Sequence, residues 1–266
     1  MNNSQEKKNF FVYIKEAISA FLGVGLMALY GFQTMIGWVN EEESFSEFMR
    51  GNFFGKNRSK YPENSSAKGR FYCWGLKNLV SRLAAFLWLR EVNGLENIPD
   101  EGEYLIVPNH QSYLDFMLVI FALKKVKNLT FFVKTRYFDM PLWKFFLSPM
   151  GHIRADRKSI SKAMRLLTDE NLPVVLFAEG TRTKTGKIGD PYPGFGRIAQ
   201  KVPNVKIIPV GIKGAFEVWS WDRRGPKLSG RKIDIRIGTA LSFADFKGTE
   251  KAFSEKIMKE VAKLTE

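Results

Sequence analysis

An imidazole beside a carboxylate can take the proton of a hydroxyl near neutral pH, because the carboxylate binds one ring N–H and leaves the other nitrogen basic. The 266-residue chain has two histidines, His110 and His152, and the first stands in Asn109-His110-Gln111-Ser112-Tyr113-Leu114-Asp115. Helical residues advance about 100° each, so positions five apart differ by about 140° and share no face. Pairing therefore requires His110 in the lead-in to a helix and Asp115 in its first turn or two. There the carboxylate accepts the Nδ1 proton and Nε2 remains as the base. The plainer alternative is a helix start in which the two residues serve only as cap and dipole partner.

A second cluster, Glu179-Gly180-Thr181-Arg182, follows the apolar run Pro173-Val174-Val175-Leu176-Phe177-Ala178. Glycine lets backbone approach a ligand, Thr181 offers a hydroxyl, and the Arg182 guanidinium fits a phosphate in a bidentate way. The cluster has the makings of a phosphate pocket; an ordinary strand-ending turn uses the same residue types.

Both clusters need strands to hold them. Segments at 104–107, 129–133, 174–177, 205–210 and 232–237 read as strands, and 112–123, 141–147, 159–170, 194–201 and 250–264 as helices. The alternation predicts an α/β fold, a mostly parallel sheet flanked by helices over residues 92–266, with chemistry at the carboxyl ends of its strands.

Residues 1–91 differ in kind. Residues 17–40 form a 24-residue run without a charge, long enough to cross a bilayer but interrupted by four glycines. Residues 41–70 read as a polar linker. In residues 71–90, Leu76, Leu79, Val80, Leu83 and Leu87 form one helical stripe and Lys77, Ser81 and Arg82 another, the pattern of an interfacial helix. A single crossing with a lysine-bearing N-terminus inside would strand a very basic remainder outside, against the positive-inside tendency. The expectation is a monotopic, two-helix membrane-binding element, hydrophobic then amphipathic. The alternative is a pair of core helices in a soluble protein.

The net charge of +14 points to an anionic partner. Residues 124–165 concentrate it, with eleven Lys or Arg against two acids, interleaved with Phe131, Phe132, Tyr137, Phe138, Trp143, Phe145 and Phe146. Such a stretch suits single-stranded nucleic acid or an anionic lipid surface. The uncharged N-terminal run decides for the membrane and against nucleic acid. One cysteine, Cys73, excludes an internal disulfide, and with two histidines no metal site is expected.

Taken together, four blocks resemble the glycerolipid acyltransferase family, and within it the branch that acylates 1-acylglycerol-3-phosphate. They are Asn109-His110 through Asp115; Phe131-Phe132-Val133-Lys134 with Pro141 and Gly151-His152-Ile153-Arg154-Ala155-Asp156-Arg157; Phe177-Ala178-Glu179-Gly180-Thr181-Arg182; and Ile207-Ile208-Pro209-Val210. Order and spacing fit from about residue 92 to 240. Arg154-Ala155 departs from the apolar residue that usually precedes the Asp-Arg pair, and the N-terminal region is longer than in small bacterial members.

The resemblance implies transfer of an acyl chain from a thioester of coenzyme A or acyl carrier protein to the sn-2 hydroxyl of 1-acylglycerol-3-phosphate, giving phosphatidic acid without a bound cofactor. It implies His110 as the base, Asp115 as its partner, and Lys134, Glu179, Gly180, Thr181 and Arg182 as substrate-binding residues. It also implies a cell-membrane location with the catalytic face cytoplasmic, where the donors are. Another lyso-lipid acceptor, such as a lyso-ornithine lipid, is the first alternative. A lipid hydrolase is the second, disfavoured because no Gly-x-Ser-x-Gly elbow occurs.

Overall fold

The computed structural model describes residues 75–99, 103–126, 129–139, 152–156, 158–228 and 230–266. The uncharged run at 17–40, the linker, and the expected helix at 141–147 lie outside them. Among the described residues no helix is long and apolar enough to cross a membrane.

Among the described residues, seven strands form one sheet: β1 Leu89–Asn93, β2 Tyr104–Pro108, β3 Thr130–Lys134, β4 Ile153–Ala155, β5 Val174–Val175, β6 Lys206–Lys213 and β7 Ile233–Ile237, in the order β1-β7-β6-β2-β5-β3-β4. Every pairing is parallel except β6 with β7. The helices are α1 Ser81–Trp88, α2 Asp115–Ala122, α3 Thr135–Asp139, α4 Ser159–Thr168, α5 Pro193–Lys201, α6 Ala215–Trp219 and α7 Glu250–Leu264.

Alternation along β2 shows how the layers form. Its five residues are all buried, as in a parallel sheet covered on both faces. Tyr104 and Ile106 join α1, α2 and α6 in one core, while Leu105 and Val107 join α4, α5 and α7 in the other. The expected α/β architecture is present, and β2 sits at its centre with the first site cluster directly after it.

The details depart from expectation in several places. Strands β1 and β4 are not visible in the sequence pattern, because β1 is polar and β4 has three residues. Strand β1 is held by Arg90, whose Nε donates to the buried Asp234 of β7 at 2.8 Å. The expected division between residues 91 and 92 falls inside this strand. Helix α2 begins at Asp115 rather than at 112, because the Asp115 carboxylate captures the backbone of residues 111 and 112. In the helix before β1, Leu76–Val80 is a π-turn, which shifts the phase of the turns after it. Ser81, Ala84, Ala85 and Trp88 are consequently the buried face, and Leu83 and Leu87 of the expected stripe are half-buried. Helices α3 and α6 are too short to leave a periodic signal. Helix α6 starts at Gly214, where φ is +83° and a Cβ would lie 2.4 Å from the Lys232 carbonyl oxygen.

Candidate active site

The chain leaves the sheet at Asn109. The β2–β6 ladder ends at the Pro108–Val210 pair, and the Asn109 side chain takes the next rung. Its Nδ2 donates to the Ile212 carbonyl at 2.9 Å and its Oδ1 accepts the Ile212 N–H at 2.7 Å, in a fully buried position. An amide side chain thus does the work of a peptide group and fixes where His110 begins. The fourth sequence block lies on the same strand as Ile212. The Pro209 carbonyl accepts the Gly238 N–H at 2.9 Å, and β7 pairing starts one residue later.

Asp115 then folds the lead-in back on itself. Its Oδ2 accepts the Gln111 N–H at 2.6 Å, the Ser112 N–H at 2.7 Å and His110 Nδ1 at 2.8 Å. The two backbone bonds hold residues 111 and 112 outside the helix, so regular turns start at 115. Its carboxylate is completely buried; these donors replace the water lost at Oδ2, while Oδ1 has no hydrogen-bond partner among the described residues. The arrangement fixes the His110 tautomer with Nδ1 protonated and leaves Nε2 as the free base position. The imidazole is 22% exposed, so the site opens to a substrate.

The second cluster closes around the same histidine. Phe177 stacks on the ring with centroids 4.1 Å apart. Glu179 Oε1 accepts the His110 N–H at 2.7 Å, and the Thr183 N–H donates to the His110 carbonyl at 2.8 Å. The other Glu179 oxygen accepts the Gly189 N–H at 2.8 Å. Both carboxylate oxygens are therefore turned onto backbone. Burial pushes the Glu179 carboxyl up to about 7, against the lowering effect of those two N–H bonds.

Cations gather on one side. The Arg182 guanidinium carbon lies 3.4 Å from the centre of the Tyr113 ring, and its Nη2 donates to the Tyr137 hydroxyl at 3.5 Å. Burial, then repulsion from Arg136 and Arg182, lowers the Lys134 amine below the ordinary lysine range. Burial raises Tyr137, but the hydrogen bond from Arg136 and the charges of Arg182 and Arg136 together pull it below the ordinary tyrosine range. Crowding three like charges beside one another is unfavourable unless an anion relieves it. Gly180 adopts φ +65° in the turn that brings Arg182 into this cluster, and Gly180 and Thr181 are exposed.

The sequence gives no individual signal for Tyr113 or Phe177, although both lie inside the matched blocks, and Tyr137 stands out there only as one aromatic in a basic stretch. Ser112, a hydroxyl beside the pair in sequence, is fully buried; its Oγ donates to the Trp219 carbonyl at 2.8 Å and accepts the Leu114 N–H at 3.1 Å. His152 packs edge-on against Phe131 at 5.7 Å, and burial first, then the charge of Lys162, holds it at about 4. So weak a base is unsuited to a hydroxyl's proton. Arg157 lies outside the described residues. Among the described residues no group of three or more His, Cys, Asp or Glu converges as a metal site would require.

Comparison with known proteins gives a consistent likeness. A family model described as Acyltransferase matches residues 89–213. The chain is 31% identical over 145 residues to a 1-acyl-sn-glycerol-3-phosphate acyltransferase of Helicobacter pylori, covering 52% of this chain and 60% of that protein. It is 32% identical over 170 residues to a probable 1-acyl-sn-glycerol-3-phosphate acyltransferase of Mycoplasma genitalium, covering 60% and 62%. A chloroplastic 1-acyl-sn-glycerol-3-phosphate acyltransferase of Arabidopsis thaliana is 32% identical over 48% of this chain and 36% of its own. The chain thus spans about half the length of such relatives. In fold it is similar to the crystal structure of the 1-acyl-sn-glycerophosphate (LPA) acyltransferase PlsC from Thermotoga maritima, with TM-score 0.63 and 21% identity over 90% of this chain and 92% of that one.

Proposed function

We propose, from the match of residues 89–213 to an acyltransferase family model, that the protein transfers an acyl chain from a thioester to the sn-2 hydroxyl of 1-acylglycerol-3-phosphate, forming phosphatidic acid. The observation that carries the reading is the His110 Nδ1–Asp115 Oδ2 contact of 2.8 Å with the Arg182 cluster on the adjoining loop.

In this mechanism the acceptor phosphate is bound by Arg182 and Lys134, with the exposed Gly180–Thr181 turn lining its approach. The glycerol hydroxyl lies at His110 Nε2. As the hydroxyl oxygen attacks the thioester carbonyl, its proton passes to Nε2 and Asp115 stabilises the imidazolium. The tetrahedral intermediate collapses, the carbon–sulfur bond breaks, and the thiolate recovers the proton. General-base catalysis supplies roughly 10²–10⁴ in rate, and positioning of the two substrates much of the remainder. No enzyme nucleophile enters, and the bonds made by Ser112 support a structural role for its hydroxyl.

The donor is a coenzyme A or acyl carrier protein thioester, whose acidity suits a basic surface. The names of the relatives support a phosphorylated acceptor, as does the crowding of Lys134, Arg136 and Arg182. A lyso-ornithine acceptor, a zwitterion with one carboxylate and one ammonium, would relieve those charges less than a phosphate monoester. The N-terminal region, expected to reach residue 91 but met by α1 and β1 of the α/β part from residue 81 on, attaches the protein to an anionic membrane, with the catalytic face cytoplasmic.

The test is acyl transfer by the full chain in detergent, with lysophosphatidic acid and an acyl thioester. Phosphatidic acid is expected from wild type and not from His110→Ala. Product from His110→Ala at the wild-type rate would overturn the mechanism; transfer only to a phosphate-free lyso-lipid would overturn the acceptor.

A further inference from the structure

We propose that the loop between α6 and β7, residues 220–228 and 230–232, together with the exposed face of α1, docks on an anionic lipid bilayer and sets the active site against the surface that supplies its acceptor. The inference rests on the acyltransferase reading and adds an element outside residues 1–74 to the membrane contact.

Exposed apolar side chains are ordinary when scattered and informative when gathered. Five large hydrophobic residues are exposed among the described residues, and three belong to this surface: Phe86 at 65%, Trp221 at 44% and Leu228 at 74%. The loop that carries two of them holds five Lys or Arg and one acid. Aromatic and aliphatic tips among cations match the layered chemistry of a bilayer interface, where rings sit at headgroup level and cations meet anionic lipid.

The loop is latched rather than adrift. The Lys227 N–H donates to the Val218 carbonyl at 2.9 Å, and Trp88 Nε1 of α1 donates to the Lys227 carbonyl at 2.8 Å. The Lys232 N–H donates to the Trp88 carbonyl at 2.9 Å, and Arg231 Nε to the Phe86 carbonyl at 3.0 Å, with its guanidinium over the Phe86 ring at 5.3 Å. Loop and helix therefore present one surface. Two links join that surface to the active site. Trp221 Nε1 donates to the Lys184 carbonyl at 3.3 Å, two residues after Arg182, and Trp219 packs on Tyr113 with ring centres 5.0 Å apart. An acidic carrier protein would also answer the charge, but it would leave Phe86 and Leu228 in water; lipid answers both.

The experiment labels position 228 with an environment-sensitive fluorophore in a Cys73→Ser, Leu228→Cys full-length chain. Position 251 (Lys251→Cys), on α7 across the sheet, is the control. On mixing with phosphatidylcholine–phosphatidylglycerol vesicles, emission at 228 should shift to the blue and be quenched by brominated acyl chains, with no change at 251 or with phosphatidylcholine alone. In parallel, Arg224→Gln/Lys227→Gln/Leu228→Gln should weaken binding to the anionic vesicles by about tenfold or more, with turnover of detergent-dispersed substrate unchanged. Vesicle-bound protein with no shift at 228 overturns the proposal. So does a triple variant that binds vesicles like wild type and loses only transfer from acyl carrier protein, which would make the loop a carrier site. Failure of wild type to form phosphatidic acid in detergent would sink the proposed function instead, and the label would still report docking.

Discussion

Glu179 clamps His110 by its backbone rather than by its ring. One oxygen accepts the His110 N–H at 2.7 Å and the other the Gly189 N–H at 2.8 Å, so a single carboxylate ties the loop after β2 to the loop after β5. A carboxylate committed in this way positions His110, and its protonation state becomes linked to the stability of the site.

That linkage has a sign. Burial raises the Glu179 carboxyl from 4.5 to about 7 in the folded chain. Between those values the folded state binds more protons than the unfolded one, so this residue's contribution to stability falls as pH rises from about 4.5 to 7, then levels off. The full span is worth about 3 kcal/mol. In Glu179→Gln the slope should vanish, and one backbone N–H should lose its acceptor at a cost of about 1–3 kcal/mol. Chemical denaturation of both proteins at pH 5 and pH 8 checks this; an identical pH dependence would show that Glu179 is not the titrating group.

Replacing Asp115 with Asn removes the charge that stabilises an imidazolium and allows the wrong tautomer. We expect kcat to fall about 10²–10⁴-fold with the fold intact. Asp115→Ala should also release the Gln111 and Ser112 amides, bonded at 2.6 and 2.7 Å, and cost a further ~1–3 kcal/mol of stability. Equal thermal stability of the Asn and Ala variants would contradict the second role.

The Arg182 guanidinium carbon sits over the Tyr113 ring, 3.4 Å from its centre. Only a planar guanidinium can stack there and still present a fork to phosphate, so Arg182→Lys should not be conservative. Its KM for lysophosphatidic acid should rise roughly 10–100-fold while that for the donor stays put. Tyr113→Leu should raise the same KM by about 3–30-fold through the lost stacking, and Tyr113→Phe should leave it near wild type. Steady-state kinetics with each substrate varied in turn would decide; a rise in donor KM would move Arg182 to the thioester.

Ser112 separates direct transfer from an acyl-enzyme. Its hydroxyl bridges Trp219 and Leu114 backbone, so Ser112→Ala should cost about 1–3 kcal/mol of stability and little activity. Trapping an acylated wild-type protein with a slow thioester, together with an inactive but folded Ser112→Ala, would favour the covalent route.

Much of the site is legible in the sequence because local patterns carry it. Spacing alone requires that, if His110 and Asp115 pair, the histidine lies in the lead-in, since positions five apart share no helix face; that they do pair is read from the 2.8 Å contact. The strand at 104–107 shows itself as an unbroken apolar run, and that at 205–210 as an apolar run interrupted only by Lys206. Polar β1 and three-residue β4 do not, because edge strands are held by partners elsewhere in the chain, as Arg90 is held by Asp234. The stripe in residues 76–87 misleads because a π-turn changes the period on which such a reading depends.

What the sequence determined by itself was chemistry: which residues are acids, bases and cations, and that two such clusters end two buried strands. Only the tertiary structure decided that both clusters serve one histidine. β5 lies beside β2 in the sheet, and that adjacency, about seventy residues away along the chain, puts Glu179 on the His110 amide, Phe177 on its ring and Arg182 over Tyr113. Side-chain types are written one position at a time, whereas strand order is settled by the whole sheet burying both of its faces.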